Sequence, residues 1–143
     1  MAQTYSVECA GIDFVPSVKP SAISAFHARL RRFRATVNLA SQASGDTVVL
    51  GDIPAGFVFA GGEMVASVSL GTATAAIGNA SSAGKYRAAA VFTAVDTPTP
   101  FGTTAGFSGA ASTATERVIL TVGTAALPAS GTLVVDMYFS HPN

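Results

Sequence analysis

The chain has 143 residues, of which 49% are apolar and only 11% are charged, and its eight basic side chains balance eight acidic ones. The high apolar content and the net charge of zero argue against intrinsic disorder. The single cysteine, Cys9, excludes an internal disulfide framework and a cysteine metal cluster. No apolar run approaches the length of a membrane-spanning helix, and the first residues lack the pattern of a secretory signal peptide. The sequence therefore predicts one domain that is made in a reducing cytoplasm.

Charge is distributed unevenly along the chain. Residues 1–34 carry five basic and two acidic side chains, a balance of +3, whereas residues 35–143 carry three basic and six acidic ones, a balance of −3. Such an asymmetry is typical of an interaction arm. Arginines that are simply exposed to solvent on one face of a strand or helix would produce the same pattern, and both interpretations stay open.

The N-terminal segment, residues 1–32, predicts an extended arm that ends in a short helical or irregular piece. Two prolines favour extended backbone within residues 1–20. Tyr5, Ile12 and Phe14 belong to a set of apolar side chains that is too large for a simple solvated tail. An arm of this kind packs on a neighbouring subunit or adds a strand to its sheet, or it folds back as the first strand of its own domain.

From residue 33 to residue 143, short strands alternate with turns. The pair Gly61-Gly62 predicts a hairpin, and residues 97–115 predict a turn-rich span. Eight strands at intervals of about 8–12 residues, with no long helices between them, predict an all-β fold, an antiparallel β-sandwich that is jelly-roll-like. The predicted strands are FRATVNL, DTVVL, FVF, EMVASVSL, TATAAIG, KYRAAAVFTAVD, ERVILTV and TLVVDMYFS.

Side chains that could perform catalysis are scarce. The two histidines, His27 and His141, have no further histidine near them in sequence to complete a zinc shell. The stretch from Gly106 to Ala110 does not match the nucleophile-elbow motif G-x-S-x-G, because Ala110 stands where the motif requires glycine. We therefore predict no catalytic residue, no cofactor and no metal site, and a hydrolase that acts through Ser108 is the weakest function considered.

The densest basic cluster consists of Arg29, Arg31, Arg32 and Arg34. Guanidinium groups bind the phosphates of nucleic acids and the carboxylates of protein partners. The acidic remainder of the chain and the absence of tryptophan argue against nucleic acid. We therefore predict that these four arginines contact a protein partner, together with three residues of the arm, Tyr5, Ile12 and Phe14.

Strand-like pieces and turns follow one another in a regular order between about residues 33 and 102. From Arg34 to Gly78 the chain passes through LASQASGDTVVLG, a D-I-P-A-G turn, a G-G pair and SLGTATAAIG, and KYRAAAVFTAVDTPTPFG follows later. These pieces, between about residues 33 and 102, resemble small virion structural proteins of tailed bacteriophages, in particular head decoration (cement) proteins. The resemblance rests on turns that shape a fold rather than on catalytic residues.

The resemblance implies a non-enzymatic structural protein of the virion, made in the cytoplasm of the bacterial host. Such a protein would bind the outer surface of the capsid, brace the major capsid protein and stabilise the shell as a homotrimer, without nucleic acid or membrane as a partner. An N-terminal arm that reaches over the capsid would suit residues 1–20. The alternatives are a fibre or adhesin-type β module that binds a cell-surface glycan, and a tail-tube or head-completion protein.

Overall fold

The structure, a computed structural model, describes residues 29–141. The predicted arm at residues 1–20, with Tyr5, Ile12 and Phe14, lies outside the described residues, as do residues 21–28. Within the described range the chain forms eight β-strands, and no helix there could cross a membrane. The strands are β1 (Arg29–Asn38), β2 (Thr47–Ile53), β3 (Val58–Ala66), β4 (Thr74–Gly78), β5 (Arg87–Val91), β6 (Thr99–Phe101), β7 (Glu116–Gly123) and β8 (Thr132–His141).

The strands form two four-stranded antiparallel sheets. Sheet A has the order β1-β8-β3-β6, and sheet B has the order β2-β7-β4-β5. The pairs β1 with β8, β2 with β7, β3 with β6 and β4 with β5 make one long hairpin that is wound into two layers. The all-β fold, an antiparallel β-sandwich, that the sequence predicts is confirmed.

Alternate side chains of the strands fill the space between the sheets, as the period of two predicts. On β1, Phe33 is half-buried and Val37 is buried, whereas Arg34 and Thr36 point to solvent. The most deeply buried side chains come from the central strands: Leu133, Val135, Met137 and Phe139 on β8, and Val118, Leu120 and Val122 on β7. Met64 on β3 and Ile77 on β4 are buried as deeply, so the core lies between the central strands of the two sheets.

The pair Gly61-Gly62 does not form the predicted hairpin, because β3 runs through it from Val58 to Ala66. The register with β8 shifts between Phe59 and Gly61, and Gly61 has φ 132°, so the pair marks a β-bulge. The ring of Phe101 fills the space beside Gly62, where a Cβ would lie 2.3 Å from its Cζ. The prediction was wrong because glycine also marks a bulge or a close approach within a strand.

The turn-rich span predicted over residues 97–115 contains a short strand, β6. Proline stands at its centre and just before it, which local rules assign to a turn, but β6 is an edge strand, where proline is tolerated. The number of strands thus equals the predicted eight, although two predicted strands merge into β3 and β6 is added. The strand predicted over residues 85–96 is limited to β5.

The two ends of the sandwich carry different parts of the chain. At one end, called the upper end, the described chain begins at Arg29 and finishes at His141, which face each other across β1 and β8. The loops 54–57, 79–86 and 102–115 lie at the same end. The opposite, lower end carries the loops 39–46, 67–73, 92–98 and 124–131. Residues 29–32, which the sequence assigns to the end of the arm, are part of β1.

Candidate functional site

A cleft of about 550 Å³ opens at the upper end of the sandwich. Its aromatic floor consists of Phe59, Tyr86 and Phe139, all at most 6% exposed. One wall is the loop of small residues at 108–115, which is held by Ser112: its N–H donates to the carbonyl of Phe57 (3.0 Å), and its carbonyl accepts from the N–H of Gly56 (2.8 Å). The cleft is therefore apolar below and lined by small polar side chains above.

The carboxylate of Glu116, at the start of β7, ties three loop residues together on one side of this cleft. It accepts hydrogen bonds from Lys85 Nζ (2.6 Å), from Asn79 Nδ2 (3.0 Å) and from the hydroxyl of Tyr86. Burial acts to raise the pKa of Glu116, but the hydrogen bonds from Lys85, Tyr86 and Asn79 outweigh it and hold this pKa below its usual range. The carboxylate is therefore ionised at neutral pH and fully engaged within the protein.

Two of the residues that bind Glu116, Tyr86 and Asn79, are themselves held in place within the fold. Burial, followed by the hydrogen bond to Glu116, raises the pKa of Tyr86 far above its usual value, so that its hydroxyl stays a donor. The side-chain oxygen of Asn79 accepts from the N–H groups of Ser81 (3.1 Å) and Ser82 (2.8 Å) and closes the loop after β4. Within residues 29–141 no buried side-chain polar atom lacks a hydrogen-bond partner. The cluster thus joins the loop at residues 79–86 to the start of β7.

Removing the Glu116 carboxylate is expected to weaken the protein in a pH-dependent way. Its pKa is lower in the folded protein than the roughly 4.3 of an unfolded chain, so its contribution is complete above that value and is lost as the pH falls through the folded pKa. In urea unfolding, Glu116→Gln should cost roughly 1 kcal/mol near pH 6, since solvent screens this partly exposed site. The difference from the wild type should shrink near pH 3; a constant difference would contradict this role.

Ser108 is exposed in the loop that forms the wall of the cleft, and its Oγ lies 3.4 Å from the N–H of Ala110 in the same loop. Within the described residues no group of three or more His, Cys, Asp or Glu side chains could hold a metal ion. Among the described residues, the hydrogen bonds around the cleft hold loops in place.

The structure separates the four arginines of the predicted contact. Arg34 pairs in bidentate fashion with Asp136 on the neighbouring β8, with both N–O distances at 2.7 Å. Asp136 is only 6% exposed, and the hydrogen bonds from Arg34 lower its pKa. Arg29, Arg31 and Arg32 are exposed on β1 and form no ion pair with any described residue.

A second bidentate pair lies on the outer face of sheet B. Arg117 on β7 donates to the two carboxylate oxygens of Asp52 on β2, at 2.8 and 2.9 Å. Neither pair is evident from local sequence patterns, because the partners are 65 and 102 residues apart along the chain. One signal was present: Asp136 interrupts the apolar stretch TLVVDMYF, and a buried carboxylate in such a stretch usually requires a partner.

Comparisons with known proteins place this fold among phage capsid structures. No family model matches the chain, and no curated protein matches it. The fold is similar to a chain in the cyanophage Pam1 capsid asymmetric unit, with a TM-score of 0.65, 17% identity, and coverage of 91% of this chain and 97% of that one. It is also similar to a chain in the capsid of Ralstonia phage GP4, with a TM-score of 0.62, 16% identity, and coverage of 88% and 92%.

A third match is a chain in the acidic stable capsid structure of Helicobacter pylori bacteriophage KHP30, with a TM-score of 0.60, 13% identity, and coverage of 82% of this chain and 91% of that one. In all three cases the match includes more than nine-tenths of the other chain. At identities this low, the structural matches show a shared fold and nothing more. The protein therefore has the fold of similarly small chains that form part of three phage capsids.

Proposed function

We propose that the protein is a structural component of a phage virion, which binds the outer surface of the capsid as a decoration protein and stabilises the shell. The observation that carries this proposal is the fold shared with three capsid chains over at least 82% of this chain and at least 91% of theirs. A match over most of the length of both chains supports a common role.

The surface of the sandwich suits a protein that packs against other subunits. Small side chains dominate, since 70 of the 143 residues are Ala, Gly, Ser or Thr. Six charged side chains among the described residues form three ion pairs with one another. An interface would therefore need to remove few free charges from water. Large apolar side chains also remain exposed on opposite sides of the molecule, among them Val49 and Leu30.

The partner in this proposal is the major capsid protein, and a homotrimer is the proposed form on the shell. The proposed contacts are the arm residues Tyr5, Ile12 and Phe14 and the three arginines of β1 that form no ion pair with a described residue, Arg29, Arg31 and Arg32. A glycan-binding β module gains little support from the cleft. Of the four aromatic rings that line it, those of Phe59, Tyr86 and Phe139 are nearly covered and that of Phe57 is half-buried, so little open ring surface is left on which a sugar could stack.

Binding to shells tests the proposal directly. Capsid shells from the phage that carries this gene, prepared without this protein, should bind the purified full chain in a co-sedimentation assay. A variant without residues 1–20 should lose binding, and light scattering should give three times the 14.3 kDa of the chain for a trimer. Shells that never bind the full chain would contradict the proposed function, whereas full binding by the shortened variant would contradict only the role of the arm.

A further inference from the structure

The charges that remain unpaired are separated along the sandwich. Within the described residues, ion pairs join Lys85 with Glu116, Arg34 with Asp136 and Arg117 with Asp52. The guanidinium of Arg87 binds the backbone carbonyls of Ala75, Ala90 and Val91. The cations left over are Arg29, Arg31 and Arg32, and the remaining anions are Asp46, Glu63 and Asp96.

The three arginines lie at the upper end, where β1 begins beside the end of β8. Asp46 and Asp96 lie in loops at the lower end, and Glu63 lies in the middle of β3. Among the described residues, the positive charges without an ion pair therefore lie at the upper end, and two of the three carboxylates without an ion pair lie at the lower end.

The geometry of β1 makes these arginines available to a partner. Arg29, Arg31 and Arg32 are exposed, and successive side chains of a strand project to opposite faces, so they surround the end of β1 on both sides. At about 3.3 Å per residue, the three occupy about 10 Å of strand, close to one Debye length at physiological ionic strength. Their fields therefore overlap.

Carboxylates are the chemistry that these arginines fit best. The molecule already pairs two exposed arginines with carboxylates through two guanidinium nitrogens each, Arg34 with Asp136 and Arg117 with Asp52. Arg32 lies near enough to Asp136 to help lower its pKa, but it forms no ion pair there. A nucleic acid is a poorer fit, because three cations make a small footprint and the acidic lower end would repel a long polyanion.

We propose that the upper end of the sandwich docks on a carboxylate-rich protein surface through Arg29, Arg31 and Arg32, while the lower end points away from it. Arg34 is not part of this contact, since Asp136 already occupies its guanidinium. The proposal rests on the proposed function, in which that acidic surface belongs to the outside of the capsid. It adds the orientation of the protein on the shell and the chemistry of the surface that receives it.

A set of matched variants of the full chain tests this orientation. The triple variant Arg29→Gln, Arg31→Gln and Arg32→Gln should bind shells about tenfold more weakly than the wild type at about 50 mM NaCl. Wild-type binding should weaken markedly at about 300 mM NaCl, whereas binding of the triple variant should change much less. The control, Asp46→Asn with Asp96→Asn, removes charge from the lower end and should bind within about twofold of the wild type.

The outcomes separate this proposal from the one on which it rests. If wild-type protein binds shells but the triple variant binds equally well, or if only the control loses binding, the orientation is wrong and the virion role remains. The salt dependence of wild-type binding to shells tests the proposal without any variant. Unfolding curves verify that the triple variant folds. Poly-L-glutamate should compete for the upper end; tighter wild-type binding to a short DNA duplex than to shells would overturn the choice of a protein surface.

Discussion

Gly78→Ala is expected to destabilise the protein by about 3 kcal/mol or more. Gly78 is buried at the end of β4, and a Cβ placed there would lie 2.0 Å from the carbonyl oxygen of Ser82 and 2.6 Å from the carbonyl of Ala83. That carbonyl of Ser82 accepts hydrogen bonds from the N–H groups of Asn79 and Lys85. The loop therefore cannot move away without losing these bonds. Urea unfolding of both proteins measures the difference in the free energy of unfolding.

Gly84→Ala in the same loop is the matched control. A Cβ at Gly84 would lie 3.4 Å from the Cα of Ala88, which is ordinary contact, and its backbone is outside the left-handed region. This substitution should change the free energy of unfolding by less than about 1 kcal/mol, because alanine also restricts the unfolded chain. Equal losses for both variants would contradict the steric explanation, since only Gly78 lies against backbone atoms.

Gly78 also shows why the loop and the site at the upper end depend on each other. The loop after β4 carries Asn79 and Lys85 to the carboxylate of Glu116. A displacement at Gly78 should therefore loosen these hydrogen bonds as well, and the pH-dependent contribution of Glu116 should be smaller in Gly78→Ala. The same glycine thus affects the packing of β4 and the geometry of one wall of the cleft.

The sequence predicts the regular strands well and the irregular ones poorly. The predicted strands ERVILTV and TLVVDMYFS correspond to β7 and β8 within one or two residues, because both are long runs rich in β-branched and other apolar side chains and are bounded by turn residues. The pair Gly61-Gly62 is different. Whether two glycines make a hairpin or a bulge depends on the ring of Phe101, about 40 residues later, which occupies the space beside Gly62.

The sequence shows which arginines form the basic cluster of β1, but it does not show which of them forms an ion pair within the fold. The cluster of four arginines is visible in the sequence, yet only the register of β1 with β8 places Arg34 opposite Asp136. The same register leaves Arg29 opposite His141 and Arg31 opposite Phe139, where no carboxylate is available. Strand register across about 100 residues depends on how the whole core packs, so local patterns could not separate one paired arginine from three exposed ones.

Phe139→Ala is expected to cost about 4 kcal/mol, which is a large part of the roughly 5–15 kcal/mol that stabilises a typical domain. The side chain is 2% exposed, and its ring meets three others: Phe33 and Phe59 at centroid distances of 5.5 Å, and Tyr86 at 5.9 Å. These rings come from strands of sheet A and from the loop that precedes β5. Truncation would leave a cavity that connects both layers beneath the cleft, and a rigid sandwich cannot fill it.

The exposed Phe107 provides the comparison for Phe139. Its ring also contacts Phe59, at a centroid distance of 5.1 Å, but the side chain is 53% exposed. Phe107→Ala should therefore cost less than about 1 kcal/mol, since solvent replaces the lost contacts and no cavity forms. Thermal and urea unfolding of the two variants measure the contrast. A comparable loss in both would mean that the loop over the cleft, rather than the rings beneath it, carries the stability of the upper end.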